Sequence, residues 1–195
     1  MSCNSHCAVC SRLSRRALLV AVMAAPAAAW ATAATATTAP PAEVSAALPG
    51  ATLQGHGRLR YFGLHIYDAA LWSIAPVPPG NPLGAALALE MRYARKLAGS
   101  AIADRSLDEM KRVGDFTEAD GQRWLDAMKQ AFPDVKPGDR ITGVHRPGVG
   151  AAFFVNGKPT AEVRDAQFAQ LFFGVWLSPR TSQPALRAAL LGTTP

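Results

Sequence analysis

Beyond residue 10 this chain contains no cysteine, and beyond Ala29 it has no long apolar run. The first absence removes disulfide support from any domain that follows, and thiol nucleophiles and thiolate metal sites with it. The second removes a membrane span: Ala17–Ala29 is itself too short to cross a bilayer, and nothing later approaches the needed length. Histidine is scarce, four residues in all, and His56 between two glycines has no second and third ligand at metal spacing. No metal or other cofactor is expected. Basic blocks interleaved with aromatics are also missing, so nucleic acid is a poor partner. Gly148-x-Gly150 lacks the strand–turn–helix setting of a phosphate loop, because a strand follows it.

What the N-terminus does contain has the form of an export signal. Met1–Trp30 carries Arg12, Arg15 and Arg16 and no acidic residue; an apolar run and the small-residue stretch Ala27-Ala28-Ala29-Trp30-Ala31 follow the arginines. Ser14-Arg15-Arg16-Ala17-Leu18-Leu19 resembles a twin-arginine signal, although the general secretory route uses similar pairs. Cys3, Cys7 and Cys10 have the C-x3-C-x2-C spacing of an iron–sulfur site, but they lie in the segment expected to be cut away. Residues 1–31 therefore read as a cleavable signal peptide, and the mature protein as periplasmic or secreted. Without the three leader arginines, seventeen basic side chains face fourteen acidic ones, and the net charge falls from +6 to +3.

Residues 32–49, rich in Ala, Thr and Pro, read as a flexible leader, and residues 50–195 as one domain. About 160 residues can bury roughly 70% of their extended-chain surface, enough for a self-sufficient core. Leu59–Trp72 alternates as one long strand with large apolar groups on both faces, and Ala86–Lys96 as a strand with one wet face. Ile102, Ser106, Met110 and Val113 recur at helical spacing up to Gly114. Thr117 stands where a helix cap would, before the stripe Trp124, Leu125, Met128 and Phe132. Strands follow at Arg140–His145, Gly150–Val155 and Thr160–Val163, with Asn156-Gly157 suited to a tight hairpin. A helix from about Asp165 buries Phe168, Leu171, Phe172, Val175 and Trp176, and Thr181/Ser182 cap a last helix ending at Gly192. Strands, helices, strands and helices in that order give an α+β domain.

Three segments, in order, resemble bacterial chalcone isomerase-like proteins. They are Leu53-Gln-Gly-His-Gly-Arg-Leu-Arg-Tyr-Phe-Gly-Leu-His-Ile-Tyr-Asp-Ala-Ala-Leu-Trp72, Gly150-Ala-Ala-Phe-Phe-Val-Asn-Gly157, and Phe172-Phe-Gly-Val-Trp-Leu-Ser178 through Leu190-Leu-Gly192. The resemblance implies an open-faced β-sandwich, a curved antiparallel sheet holding a ligand cleft against a layer of helices. In that superfamily, plant members cyclise chalcones with an arginine that steers a phenolate. Others bind fatty acids with an arginine and a tyrosine on the carboxylate. Many relatives read Gly-x-Gly-x-Arg, whereas here Gly55 and Gly57 put Leu59 at the arginine position, between Arg58 and Arg60. Since one residue of shift turns a strand side chain to the other face, either a bulge near Gly57 restores the register or the cleft lacks that arginine. The plant enzyme's tyrosine and asparagine fall near Ile102 and Glu109, which argues against a true chalcone isomerase.

Arg58 and Arg60 are the first candidates for a ligand anchor, because a guanidinium in an apolar cleft holds a carboxylate by two parallel hydrogen bonds. Their other reading is an edge-strand arginine in solvent or paired with an acid such as Asp68. Tyr67 matches the family's strand tyrosine, with core packing as its other role. His65 shares that face, and Tyr93 and Arg95 alternate with Leu89 and Met91 on the next strand. Asp104, Asp108 and Glu109 read as the wet face of a helix. The expected function is non-catalytic binding of a lipophilic small molecule such as a fatty acid. The alternatives are a cofactor-free intramolecular isomerase or lyase and a cell-envelope interaction module.

Overall fold

The computed structural model of the protein describes residues 39–193. The expected signal peptide, its cysteines and the first part of the expected leader lie outside those residues. A single antiparallel sheet carries six strands in sequence order: β1 (Thr52–Tyr61), β2 (Leu64–Ser73), β3 (Leu87–Tyr93), β4 (Arg140–Arg146), β5 (Gly150–Val155) and β6 (Lys158–Val163). Between β3 and β4 come helices α2 (Gly99–Val113) and α3 (Glu118–Ala131); α4 (Ala166–Leu177) and α5 (Pro184–Leu190) follow β6. α4 lies on β4 and β5, and α5 on β1 and β2. This is an α+β fold with one sheet face layered by helices.

Local chemistry explains the element ends. Thr117 accepts the Asp120 amide at 3.1 Å to cap α3, and Asp165 accepts the Phe168 amide at 3.0 Å to cap α4. Asn156-Gly157 turns β5 into β6 with φ of +51° and +83°, the left-handed pair that this two-residue hairpin needs. α5 is entered differently from expectation: Gln183 precedes it with no side-chain cap, while Thr181 Oγ1 accepts the Gln183 amide at 3.1 Å.

Three expectations are corrected. Leu59–Trp72 is a hairpin rather than one strand, with Phe62-Gly63 turning at φ of +47° and +78°. The two-residue turn shifts the strand parity by one, pairing Tyr61 with Leu64, and the bulge at Ile66 shifts it back, so Leu59 and Tyr67 still share a face as in one continuous strand. Within the residues read as leader, Ala42–Ala47 forms a helix, α1, on the opposite face of the sheet. Its Val44 and the following Leu48 pack on Trp72, Ala88 and Val144. Glu43 enters with them and accepts Arg140 Nη2 at 2.8 Å and Thr142 Oγ1 at 2.9 Å. The expected wet face of β3 is consequently covered: Glu90 is buried and accepts the Trp72 indole N–H at 3.2 Å.

Bulges interrupt the β1–β2 ladder between Leu53 and Gly55 and between Leu59 and Arg60, while Gly57 itself pairs regularly with Ala69. Gly55 and Gly57 have another task. A Cβ on Gly55 would lie 2.2 Å from the Ala189 carbonyl oxygen, and one on Gly57 would lie 2.7 Å from Leu186 Cδ1. The glycine pair lets α5 lie directly on β1.

Candidate functional site

A cavity of about 300 Å³ opens between the sheet and the helices. The sheet contributes Leu59 and Tyr61 from β1, Ile66 and Tyr67 from β2, Met91 and Tyr93 from β3, and Ile141 from β4. Ala101, Ile102, Arg105, Ser106 and Glu109 of α2 face them, with Phe172, Val175 and Trp176 of α4. Phe132 and Leu97 complete the wall, and Ser182 and Gln183 stand on the α4–α5 connection. The bulge opposite Leu59 and Arg60 falls at Ile66, so Ile66 and Tyr67 both reach the cavity despite being adjacent. From the cavity wall, Phe172 joins an aromatic cluster with Phe168 of α4 and Phe153 of β5. Phe168 and Phe172 stack with centroids 5.5 Å apart, and Phe153 meets Phe172 edge-on at 5.1 Å.

Two tyrosines are among the polar groups of the interior. Tyr67 accepts the Trp176 indole N–H at 2.8 Å, which leaves its own O–H proton available. Burial pushes its pKa up to about 12, against the lowering effect of that hydrogen bond. Tyr93 meets Tyr67 edge-on with centroids 5.7 Å apart, and burial raises its pKa too. Both are neutral hydrogen-bond donors at ordinary pH.

The charged groups stand at the opening. Arg105, its side chain 58% exposed, pairs with Glu109, whose side chain is only 7% exposed. Arg112 Nε lies 3.4 Å from the other Glu109 oxygen, which completes no hydrogen bond with the protein. Two guanidiniums on one carboxylate leave the opening positive. The Arg105 guanidinium also sits 6.0 Å from the Tyr61 ring centroid, at the outer limit of a cation–π contact. Ser106 spends its hydroxyl on the Ile102 carbonyl at 2.8 Å.

Of the residues singled out from sequence, the fold brings Tyr67 and Tyr93 into the cavity wall and leaves four out of it. Arg58 points to the other sheet face and pairs with Asp68 at 2.7 Å. Arg60, exposed, donates to the Gly63 carbonyl at 3.3 Å. His65 Nε2 lies 3.2 Å from Asp68 Oδ2, and Arg95 is exposed. No bulge returns a β1 arginine to the cleft; Leu59 occupies that place. Sequence reasoning missed Arg105, Glu109 and Trp176 as site residues, and it placed Glu109 on a wet face. The available signal was spacing: Glu109 is seven residues after Ile102 and four after Arg105, on the face of α2 that meets the sheet. Among the described residues, no three His, Cys, Asp or Glu side chains gather where they could hold a metal ion. None of the described helices is long and apolar enough to cross a membrane.

The chain is similar to known proteins in sequence and in fold. The profile described as chalcone isomerase-like matches residues 33–192. A Haemophilus influenzae protein, named only as uncharacterized, is 30% identical over 151 residues, 76% of this chain and 73% of its own length. The crystal structure of an Arabidopsis thaliana fatty-acid binding protein superposes with a TM-score of 0.56 at 14% identity, covering 73% of this chain and 87% of that one. At that identity the likeness speaks for the fold. The family match spans the sheet and every helix described, so the chain belongs to the chalcone isomerase-like family.

Proposed function

We propose that this protein is an exported, non-catalytic carrier of a lipophilic amphiphile of the fatty-acid class. The observation that carries the reading is the largely apolar cavity of about 300 Å³, lined by Leu59, Ile66, Met91, Ile102 and Ile141 and carrying a few polar groups such as Tyr67, Tyr93 and the Arg105–Glu109 pair. A methylene occupies somewhat less space than a water molecule's roughly 30 Å³, so a tail of about ten carbons fits. Its burial contributes on the order of 8 kcal/mol gross at about 0.8 kcal/mol per methylene, before the cost of association. The head group would lie beside Arg105, Ser182 and Gln183. Arg105 has donors left over from its pairing with Glu109, and a charge-assisted bond from them adds about 1.5–3 kcal/mol. The tail thus dominates affinity and Arg105 sets orientation. The fatty-acid binding title of the Arabidopsis structure supports the same class of ligand.

The isomerase reading has less support from the geometry. Catalysis needs charge or hydrogen-bond donors aimed accurately at the reacting atom. Here Arg105, the one guanidinium of the cavity wall among the described residues, is already paired with a buried carboxylate.

Solvent extraction of purified protein followed by mass spectrometry tests the proposal, together with thermal shifts across saturated fatty acids of increasing length. Recovery of an amphiphile and a chain-length optimum are expected. Ile102→Trp, which fills the cavity from its half-buried wall, shortens the optimum or abolishes binding, while Arg105→Ala weakens binding about tenfold without moving it. Absence of both an extractable amphiphile and stabilisation by any chain length would overturn the reading.

A further inference from the structure

Two hairpin turns of this sheet, β1–β2 and β5–β6, both put a non-glycine residue followed by glycine at positive φ, with opposite chemistry. At the β5–β6 turn, φ of +51° is taken by Asn156, whose side chain accepts the Arg140 amide at 2.8 Å and donates to Asp139 at 3.1 Å. At the β1–β2 turn, φ of +47° is taken by Phe62. A bulky apolar residue is disfavoured in that region, where asparagine is among the tolerated ones. Phe62 recovers little in exchange: it is 86% exposed, and its ring meets that of Tyr61 edge-on, centroids 4.6 Å apart. Strain held at an exposed aromatic is a local rule broken without a compensating contact inside the protein.

The neighbours give the tip a definite chemistry. Tyr61 and Leu64 on either side are 51% and 49% exposed, so the turn ends in a continuous apolar knob. Arg60 stands beside it, bonded only to the Gly63 carbonyl. The Ala94 amide donates to the Ile66 carbonyl at 2.9 Å, which brings exposed Arg95 and Lys96 to the same end of the sheet. None of these three cations has an ion pair among the described residues, whereas the acid there, Asp68, is taken by Arg58 at 2.7 Å. Aromatic groups at a tip with long cationic side chains around it match a bilayer interface, where rings sit at headgroup level and Arg and Lys stems reach outward to phosphate. Tyr61 belongs both to this knob and to the cavity wall.

We propose that the β1–β2 hairpin tip docks on a phospholipid membrane bearing anionic headgroups, inserting Phe62 and holding the cavity mouth at the lipid surface through Arg60, Arg95 and Lys96. The proposal goes beyond carriage of a ligand and does not depend on it. Protein that docks but yields no amphiphile would sink the carrier reading alone.

The test is sedimentation of the purified protein with phosphatidylglycerol vesicles and with phosphatidylcholine vesicles, combined with hydrogen exchange. Stronger binding to phosphatidylglycerol that weakens with salt is expected. Exchange slows at residues 60–65, which locates the contact whatever other part of the chain touches the bilayer. Phe62→Asn restores the residue type of the other turn, so it folds with an unchanged or higher Tm. Its tip contact falls about tenfold or more. Removing Arg60, Arg95 or Lys96 lowers affinity about fivefold each. Unslowed exchange at 60–65 with phosphatidylglycerol vesicles would overturn the proposal. So would a dimer in solution that Phe62→Asn converts to monomer, because the knob would then serve a second copy of the chain.

Discussion

Trp176 and Tyr67, 109 residues apart in sequence, are joined by a buried indole-to-hydroxyl hydrogen bond of 2.8 Å. It ties α4 to β2 in the cavity wall and leaves the Tyr67 O–H proton free to donate. Packing alone would hold the two rings near each other; the bond fixes which atom of each faces the hollow.

Removing one partner leaves the other with an unmet need, and the two removals are not equivalent. Tyr67→Phe strands a buried N–H and is expected to cost about 1–3 kcal/mol, whereas Trp176→Phe leaves a hydroxyl that still faces the cavity. Urea unfolding of both single variants and the double variant measures the coupling. A coupling near zero would mean that the contact carries no specific energy.

Alkaline stability follows from the same burial. The folded pKa of Tyr67, about 12, lies above the ordinary value of 10.0, so between these pH values the unfolded chain has lost a proton that the folded one keeps. The stabilisation is whole below about pH 10 and drains away as pH rises toward 12. Two units correspond to the order of 2–3 kcal/mol. Tyr93 shifts in the same direction. Absorbance titration of tyrosinate should show these two ionising only as the fold is lost, and Tyr67→Phe should flatten the alkaline limb.

His145 sets an opposite, acidic limb. It is 1% exposed, its Nε2 lies 3.1 Å from the Leu83 carbonyl oxygen, and its Nδ1 has no partner. The carbonyl makes Nε2 the protonated nitrogen of a neutral ring. Burial lowers its pKa below 6.5, against the raising effect of the carbonyl. Its contribution is complete above about pH 6.5 and is lost as pH falls through the folded value, because the unfolded chain gains a proton first. His145→Gln, which retains a donor toward Leu83, should weaken the pH dependence of Tm between pH 7 and pH 5; an unchanged slope would show that other groups govern acid unfolding.

Gly55→Ala tests the seat of α5. The added Cβ would meet two backbone carbonyls, those of Ala189 and Leu190, at 2.2 and 2.5 Å, and backbone cannot step aside as a side-chain tip can. A loss of roughly 1–3 kcal/mol or more is expected, with faster hydrogen exchange over Pro184–Leu190. Wild-type stability in this variant would mean that α5 rides loosely on β1.

Much of the fold was readable because its signals are local. Thr117 and Asp165 cap helices by reaching three residues along the chain, and Asn156-Gly157 turns by its own torsional freedom. The hairpin at Phe62-Gly63 was hidden, since its first residue is not of a turn-forming type. α1 was hidden too, because a short Ala-rich segment becomes helical only where Glu43 and Val44 find Arg140 and Trp72.

The site divides along the same line. Tyr67 and Tyr93 follow from strand parity, which the chain carries in its own alternation, and so do the family, the α+β order and the absence of cysteine beyond residue 10. Which guanidinium meets the cavity was decided in three dimensions. The approach of α2 to the sheet seats Arg105 and Glu109 there, while alternation along β1 puts Leu59 inward and Arg58 and Arg60 on the other face. Periodicity states which residues share a face, but what that face meets depends on a distant segment's register and angle, and those are set by packing.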